Sequence, residues 1–270
     1  HFIFQSTSTN SLTSSINTHQ LTRNHPNRYA LCEFQGRLLV GVGNILRLYD
    51  LGKKQLLRKC EAQIINMITS IHTSGDRIYV GDVSAGFSFC KYHRNSNEIV
   101  SYAEDVTPRF LTRSLRLDYD TMFGADKFGN VFASRVPDKV NDDEGAAGSG
   151  SNNTADVLWR TSTRTSQKLK CILNFHTGEL TTSLCKTSLA NGSQEVVLAG
   201  GVNGGLRVFL PLLTTSDVEL LTHLEMHMRL EALSLSGRDH LSYRSAFNPV
   251  KACVDGDLCE RFAELSKLKQ

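Results

Sequence analysis

The sequence predicts a mainly β fold: about four β-propeller blades, part of a larger ring, followed by a small C-terminal helical segment. Three observations predict it. A phrase of apolar strand, small-residue turn and alternating strand returns along the chain, with a glycine at the same place each time: Gly41, Gly81, Gly124 and Gly200. The first two intervals are about 40 residues, the size of one four-stranded blade. The apolar period then changes from two residues to the helical value after Asp217.

The elements follow in order. Residues 1–29 open on a short apolar piece and continue rich in Ser, Thr and Asn. Such composition buries too little apolar surface to offset its ordering entropy, so a flexible arm is expected there. Residues 30–217 carry the blades. Arg37–Gly43 reads as a buried strand, Ile45–Asp50 as a half-buried one, Leu51–Lys54 as a turn and Gln55–Cys60 as a strand. The phrase returns as Ile64–His72, Arg77–Asp82, Gly86–Tyr92 and Glu98–Tyr102. It returns again as Phe110–Leu117, Thr121–Asp126 and Asn130–Val136, and last as Glu195–Gly201 and Gly205–Phe209. Between the last two versions lies an acidic, Gly/Ser/Asn-rich insertion over 138–156, expected to be disordered. One four-stranded sheet cannot bury both of its faces, so such units must stack. A β-sandwich is the competing architecture, and the regular period favours blades over it.

Residues 218–270 read as the start of a helical domain. Val218–Leu230 places Leu220, Leu221, Leu224 and Met228 on one side, with Asp217 as its expected N-cap. A second helix is expected over 253–269, with Asp255-Gly256-Asp257 at its start.

Composition narrows the function classes. The chain has 270 residues and a formal net charge of +3, too small to argue for nucleic acid binding. Its seven cysteines are scattered, without paired spacing, which favours a reducing compartment over a disulfide framework. Neither a membrane span nor a signal peptide is evident, and the chain, beginning at His1, reads as a piece of a longer polypeptide.

The candidate chemical motifs are weak. Gly41-Val42-Gly43 begins like a dinucleotide fingerprint, but Leu46 replaces the third glycine and a strand follows instead of a helix. His223 and His227 share a helix face, yet the spacing lacks the Glu that a zinc protease needs directly after its first His. Asp118, Asp120 and Asp126 form a local carboxylate group that would suit a propeller hydrolase, although Asp is also a good turn residue. Arg37, Arg47, Lys53, Lys54, Arg58 and Lys59 gather near the first blade, as a solvated edge or a weak site for RNA or an acidic partner. No catalytic residue, metal or cofactor is expected.

Three stretches carry a resemblance: FQGRLLVGVGNILRLYDLGKKQLLRKCE over 34–61, LDYDTMFGADKFGNVFASRVP over 117–137 and GRDHLSYRSAFNPVKACVDGDLCERF over 237–262. They resemble the family of the cleavage and polyadenylation specificity factor A subunit and the damaged-DNA-binding protein. The phrases YDLGKK, GADKFGN and GRDHLS point to its splicing branch. The resemblance implies three propellers followed by a helical domain, with 30–217 in the last propeller. It implies a nuclear, non-catalytic scaffold within splicing factor 3b, touching a HEAT-repeat subunit and a very small subunit, with RNA contact left open. The adaptor role of the ubiquitin-ligase branch and the polyadenylation role are the alternatives. The candidates for fixing the helical domain against the propeller are Arg238, Asp239, His240 and Arg244, in the junction phrase, with Asp255 and Asp257 in the DGDL phrase. The plainer alternative is that they cap local turns.

Overall fold

The computed structural model describes residues 28–64, 66–137, 167–190, 192–231, 237–246 and 248–266. The insertion expected over 138–156 and nearly all of the arm expected over 1–29 lie outside the described residues.

Each short apolar run folds as a strand, and consecutive strands pair antiparallel. The first sheet holds β1 (Arg28–Phe34), β2 (Arg37–Val42), β3 (Ile45–Leu51) and β4 (Leu56–Gln63) in chain order. Its first hairpin turns at Gln35 and Gly36, with φ 52° and 73°, the paired left-handed conformation that two-residue hairpins use. The second sheet holds β5 (Ile68–Ser74), β6 (Arg77–Asp82), β7 (Gly86–His93) and β8 (Glu98–Glu104). The third holds β9 (Leu111–Arg116), β10 (Thr121–Asp126), β11 (Asn130–Arg135) and β12 (Lys170–His176). The fourth has three strands among the described residues, β13 (Thr181–Ser188), β14 (Glu195–Gly201) and β15 (Leu206–Phe209).

The first strands β1, β5, β9 and β13 are successive neighbours, so the sheets stack face to face as propeller blades. The four form part of a larger ring and do not close it. Every residue of β6 and of β10 is buried, because a blade covers each face of these strands. A two-sheet sandwich would leave such strands half solvated.

The core lies between blades. Leu39, Leu46 and Leu48 meet Ile68, Ile78 and Val80 at the first interface. Tyr79, Phe87 and Phe89 meet Met122 and Phe132 at the second. Phe123, Ala125 and Phe175 meet Val197 and Phe209 at the third, where Val250 and Cys253 also pack. Three of the repeated glycines, Gly41, Gly81 and Gly124, stand at these interfaces. A Cβ on Gly41 would lie 2.6 Å from Ile68 Cγ2 of the second blade, and one on Gly124 would lie 2.8 Å from Phe87 Cζ.

Several sequence expectations shift. The strand expected from Ile64 begins at Ile68. The Asp82 carboxylate accepts from the backbone N–H groups of Asn66 and Met67, both at 2.8 Å, and holds that segment as a loop. The first helix, α1, spans Thr215–Glu231, and its cap is Thr214, whose hydroxyl accepts from Asp217 N at 3.1 Å. Asp217 therefore belongs to the first turn, where its charge favours the helix N-terminus. Met228 is buried as expected, but Leu220 is exposed and Glu225 takes a buried position. The segment expected as one helix over 253–269 is short: α3 (Gly256–Glu260) followed by a single 3₁₀ turn at Arg261–Glu264. A five-residue helix, α2 (His240–Arg244), precedes it.

Candidate functional site

The helical segment is fastened to the third blade by a buried polar cluster centred on Asp255. Asp255 caps α3: its Oδ1 accepts from Asp257 N at 3.1 Å. Its Oδ2 accepts from Arg244 Nε at 2.5 Å and pairs with His240 Nε2 at 2.6 Å. From the other side, its backbone N–H donates to Glu225 Oε1 of α1 at 3.3 Å. One residue thus gathers α1, α2 and α3. Burial raises the Asp255 carboxyl, but the hydrogen bond and charge of Arg244, then those of His240, outweigh burial and hold it below its ordinary value.

Arg244 reaches onward to the propeller. Its Nη1 donates to the carbonyl of His176, the last residue of β12, at 3.3 Å. Its guanidinium lies 4.9 Å from the Phe175 ring and 5.0 Å from the Tyr243 ring. A planar cation stacked on an aromatic face keeps its edge free for the carboxylate, an arrangement lysine does not reproduce.

The six candidate residues divide. Arg244, His240 and Asp255 come together in the cluster. Asp257 is 3.7 Å from Arg244 Nη2 and exposed, a weak contact. Asp239 pairs instead with Arg229 at the end of α1, in two hydrogen bonds of 3.1 and 2.6 Å, so it ties α2 to α1. Arg238 is exposed.

A second anchor has no motif in the sequence. Asn174 of β12 is buried, and its backbone exchanges both hydrogen bonds with Lys251. Its Nδ2 donates to the carbonyls of Asn248 and Pro249, each at 3.1 Å, while its Oδ1 accepts from Arg109 Nη1 at 3.1 Å. Arg109 is fully buried and stacks 4.2 Å from the Phe132 ring. Sequence offered only a weak signal for this anchor, an Arg beside Pro108 between two strands.

The other candidates separate. Asp118 and Asp120 precede β10, paired to Arg135 at 3.2 Å and Arg77 at 2.5 Å, whereas Asp126 ends that strand. Asp126 is spent on the backbone N–H groups of Phe128 and Asn130. The carboxylate group of a hydrolase is therefore not assembled from these three. In the basic group, Arg37 and Lys59 pair with Asp50, and Arg47 and Arg58 with Glu61. Two carboxylates thus offset part of the charge of six cations, so the edge keeps a positive excess. His223 and His227 are both exposed on α1. Burial, then the Asp255 and Glu225 charges, pushes the Cys253 thiol up to about 12, far from a reactive thiolate.

The family model described as the CPSF A subunit region matches residues 10–264. The chain belongs to the CPSF A subunit family. Relatives carry splicing names. Spliceosome-associated protein 130 A of Arabidopsis thaliana is 46% identical over 239 residues, covering 87% of this chain and 19% of the relative. Splicing factor 3B subunit 3 of Danio rerio is 45% identical over 244 residues, covering 89% and 20%. Pre-mRNA-splicing factor rse1 of Neurospora crassa is 43% identical over 244 residues, covering 89% and 20%. The chain thus spans about a fifth of the length of these relatives. Within the CPSF A subunit family, its likeness is to the members named for splicing.

Proposed function

We propose that this chain is part of a non-catalytic scaffold subunit of splicing factor 3b, which supports branch-site recognition in the nucleus through protein contacts. The observation that carries the reading is the likeness to splicing-named relatives along nearly nine-tenths of the chain. The blades and the locked helical segment support it. Close-packed cores and the Asp255 cluster hold the loops in fixed relative positions, which is what a multi-partner scaffold requires. The domain reading is a last-propeller portion over 30–217 and the start of a helical domain over 218–270, with Arg238, Asp239, His240, Arg244, Asp255 and Asp257 at their junction. The partners are other splicing factor 3b subunits, a HEAT-repeat subunit and a very small subunit among them, with any RNA contact indirect. No cofactor or small-molecule substrate enters this role.

The test is affinity capture from nuclear extract with the protein as bait, followed by mass spectrometry. Recovery of a HEAT-repeat splicing subunit is the expected result. Recovery of a cullin, or of polyadenylation factors, would move the function to another branch of the family. The hydrolase reading has no support from the positions of Asp118, Asp120 and Asp126.

A further inference from the structure

Hydrogen bonds bridge the first strands of neighbouring blades, and the middle one of the three seams differs in kind. Between β1 and β5, Thr73 donates to the Glu33 carbonyl at 3.1 Å. Between β9 and β13, Thr112 donates to the Thr181 carbonyl at 2.9 Å, and Arg113 Nε to the Thr182 carbonyl at 2.6 Å. A backbone carbonyl accepts at any pH. Between β5 and β9 the bridge runs through side chains and includes a titratable ring. His72 Nε2 is 2.8 Å from Ser114 Oγ, and Ser114 donates to Ser70 Oγ at 2.6 Å. With the Ser114 proton given to Ser70, His72 Nε2 donates to Ser114, and the neutral ring leaves Nδ1 bare. Acid adds its proton there. Ser70, His72 and Ser114 line a cavity of about 310 Å³ at this seam, so the ring faces open space.

The surroundings of His72 suit the neutral ring. Burial, then the Arg116 charge, holds it below its ordinary value of 6.5. Arg116 stands two residues beyond Ser114, on the same face of β9. Arg113 is on the opposite face, where it meets the fourth blade. On β6 the residue directly across from His72 is Tyr79. Burial pushes its hydroxyl up to about 12, and that hydroxyl donates to the Tyr119 carbonyl at 2.6 Å. The charged ends of β6 are occupied: Arg77 by Asp120 at 2.5 Å, and Asp82 by the N–H groups of Asn66 and Met67. On β1, Cys32 contacts Thr73, and burial raises its thiol. Glu33, the next residue, alternates to the other side of that strand. Arg37 of β2 pairs with Asp50. Neither β5 nor β9 carries a carboxylate, and none of the described ion pairs reaches His72 or Arg116. An imidazolium at this seam would face Arg116 with nothing to offset it.

We propose that the seam between the second and third blades is a proton-sensitive joint, closed while His72 is neutral and loosened when its ring takes up a proton. An opened seam exposes the ring to water, where it binds the proton at its ordinary value, whereas the closed seam resists it. The contribution to closure is therefore complete above about pH 6.5 and is lost progressively as pH falls below that value. The joint is separate from the Asp255 cluster and independent of the partner reading above.

The test is amide hydrogen exchange of the protein at about pH 7.5 and about pH 5.5, corrected for the intrinsic pH dependence of exchange, with the His72 ring followed by magnetic resonance. Between the two conditions, protection of β5 and β9 should fall about five- to tenfold further than that of β3 in the first blade. The His72 ring should titrate below 6.5. His72→Gln keeps an amide donor for Ser114 and does not titrate, so it should hold the seam and remove the extra fall. Arg116→Gln should bring the His72 titration toward its ordinary value and shrink the fall, so a fold defect in one variant leaves the other informative. Equal loss of protection in β3, β5 and β9 would overturn the proposal. So would titration of His72 at or above 6.5, or an extra fall that survives His72→Gln.

Discussion

Arg244 donates to Asp255 at 2.5 Å, and the two side chains retain only 11% and 3% of their exposure. A pair so far out of water depends on both partners: removing one strands the other charge in the interior. Arg244→Ala should therefore destabilise the protein by about 3–5 kcal/mol, read as a fall in the urea midpoint. Arg244→Lys should recover only part of that loss, because lysine lacks the planar stack on Phe175 and the second donor toward His176. Unchanged stability and unchanged partner recovery in Arg244→Ala would reduce the cluster to local capping.

The same pair gives the protein an acid-sensitive element. The folded Asp255 carboxyl lies below its ordinary value of 3.8, so in the folded state it releases its proton more readily than in the unfolded chain. The resulting stability is present above that ordinary value and is lost as pH falls through the lower folded one. The urea midpoint should fall between about pH 5 and about pH 2, and Asp255→Asn should flatten part of that fall. Asp82 acts in the same direction: burial raises its carboxyl, but four backbone N–H groups together outweigh burial and favour its charged form, so the remaining slope belongs partly to it.

The blades were legible because each strand repeats the same local conflict. A run such as Arg77–Asp82 is apolar enough to need cover on both faces, and too short and too closely bounded by turns for a helix. The glycine in each second strand marked the blade period, and its cause at Gly41, Gly81 and Gly124, close approach across a blade interface, is visible only in three dimensions. Strand boundaries were less legible where a side chain captures backbone. Nothing in the periodicity of Ile64–His72 announces that Asp82 draws the amides of Asn66 and Met67 out of the strand. In the helical segment the junction phrase indicated the region of Arg244 and Asp255. The partners Glu225, Phe175 and Asn174 stayed hidden, because they come from distant elements and look like ordinary helix and strand residues.

Glycines at equivalent positions should respond differently to a methyl group. A Cβ on Gly41 would stand 2.6 Å from the branched Ile68 side chain, which has little rotamer freedom to retreat. On Gly200 the nearest atom would be Ser183 Cβ at 3.7 Å, an ordinary contact. Gly41→Ala should destabilise the chain by about 1–3 kcal/mol, whereas Gly200→Ala should stay within about 0.5 kcal/mol. Paired thermal denaturation curves measure both, and equal effects would contradict the packing account of the repeat.

Asn174 offers the sharpest separation between blade stability and helical docking. Its side chain holds the carbonyls of Asn248 and Pro249 with one end and the buried Arg109 guanidinium with the other. Asn174→Leu fills similar volume but removes all three bonds and leaves Arg109 with Cys171 Sγ, 3.6 Å away, as a weak acceptor. A charged donor deprived of its acceptor costs about 1–3 kcal/mol or more, so global stability should fall measurably. The local effect should be larger than the global one. Hydrogen exchange at residues 248–251 should rise relative to β6, whose burial does not involve Asn174. Uniform acceleration across both regions would mean that Asn174 serves the third blade as a whole; selective acceleration at 248–251 would identify it as the latch that holds the following segment to the propeller.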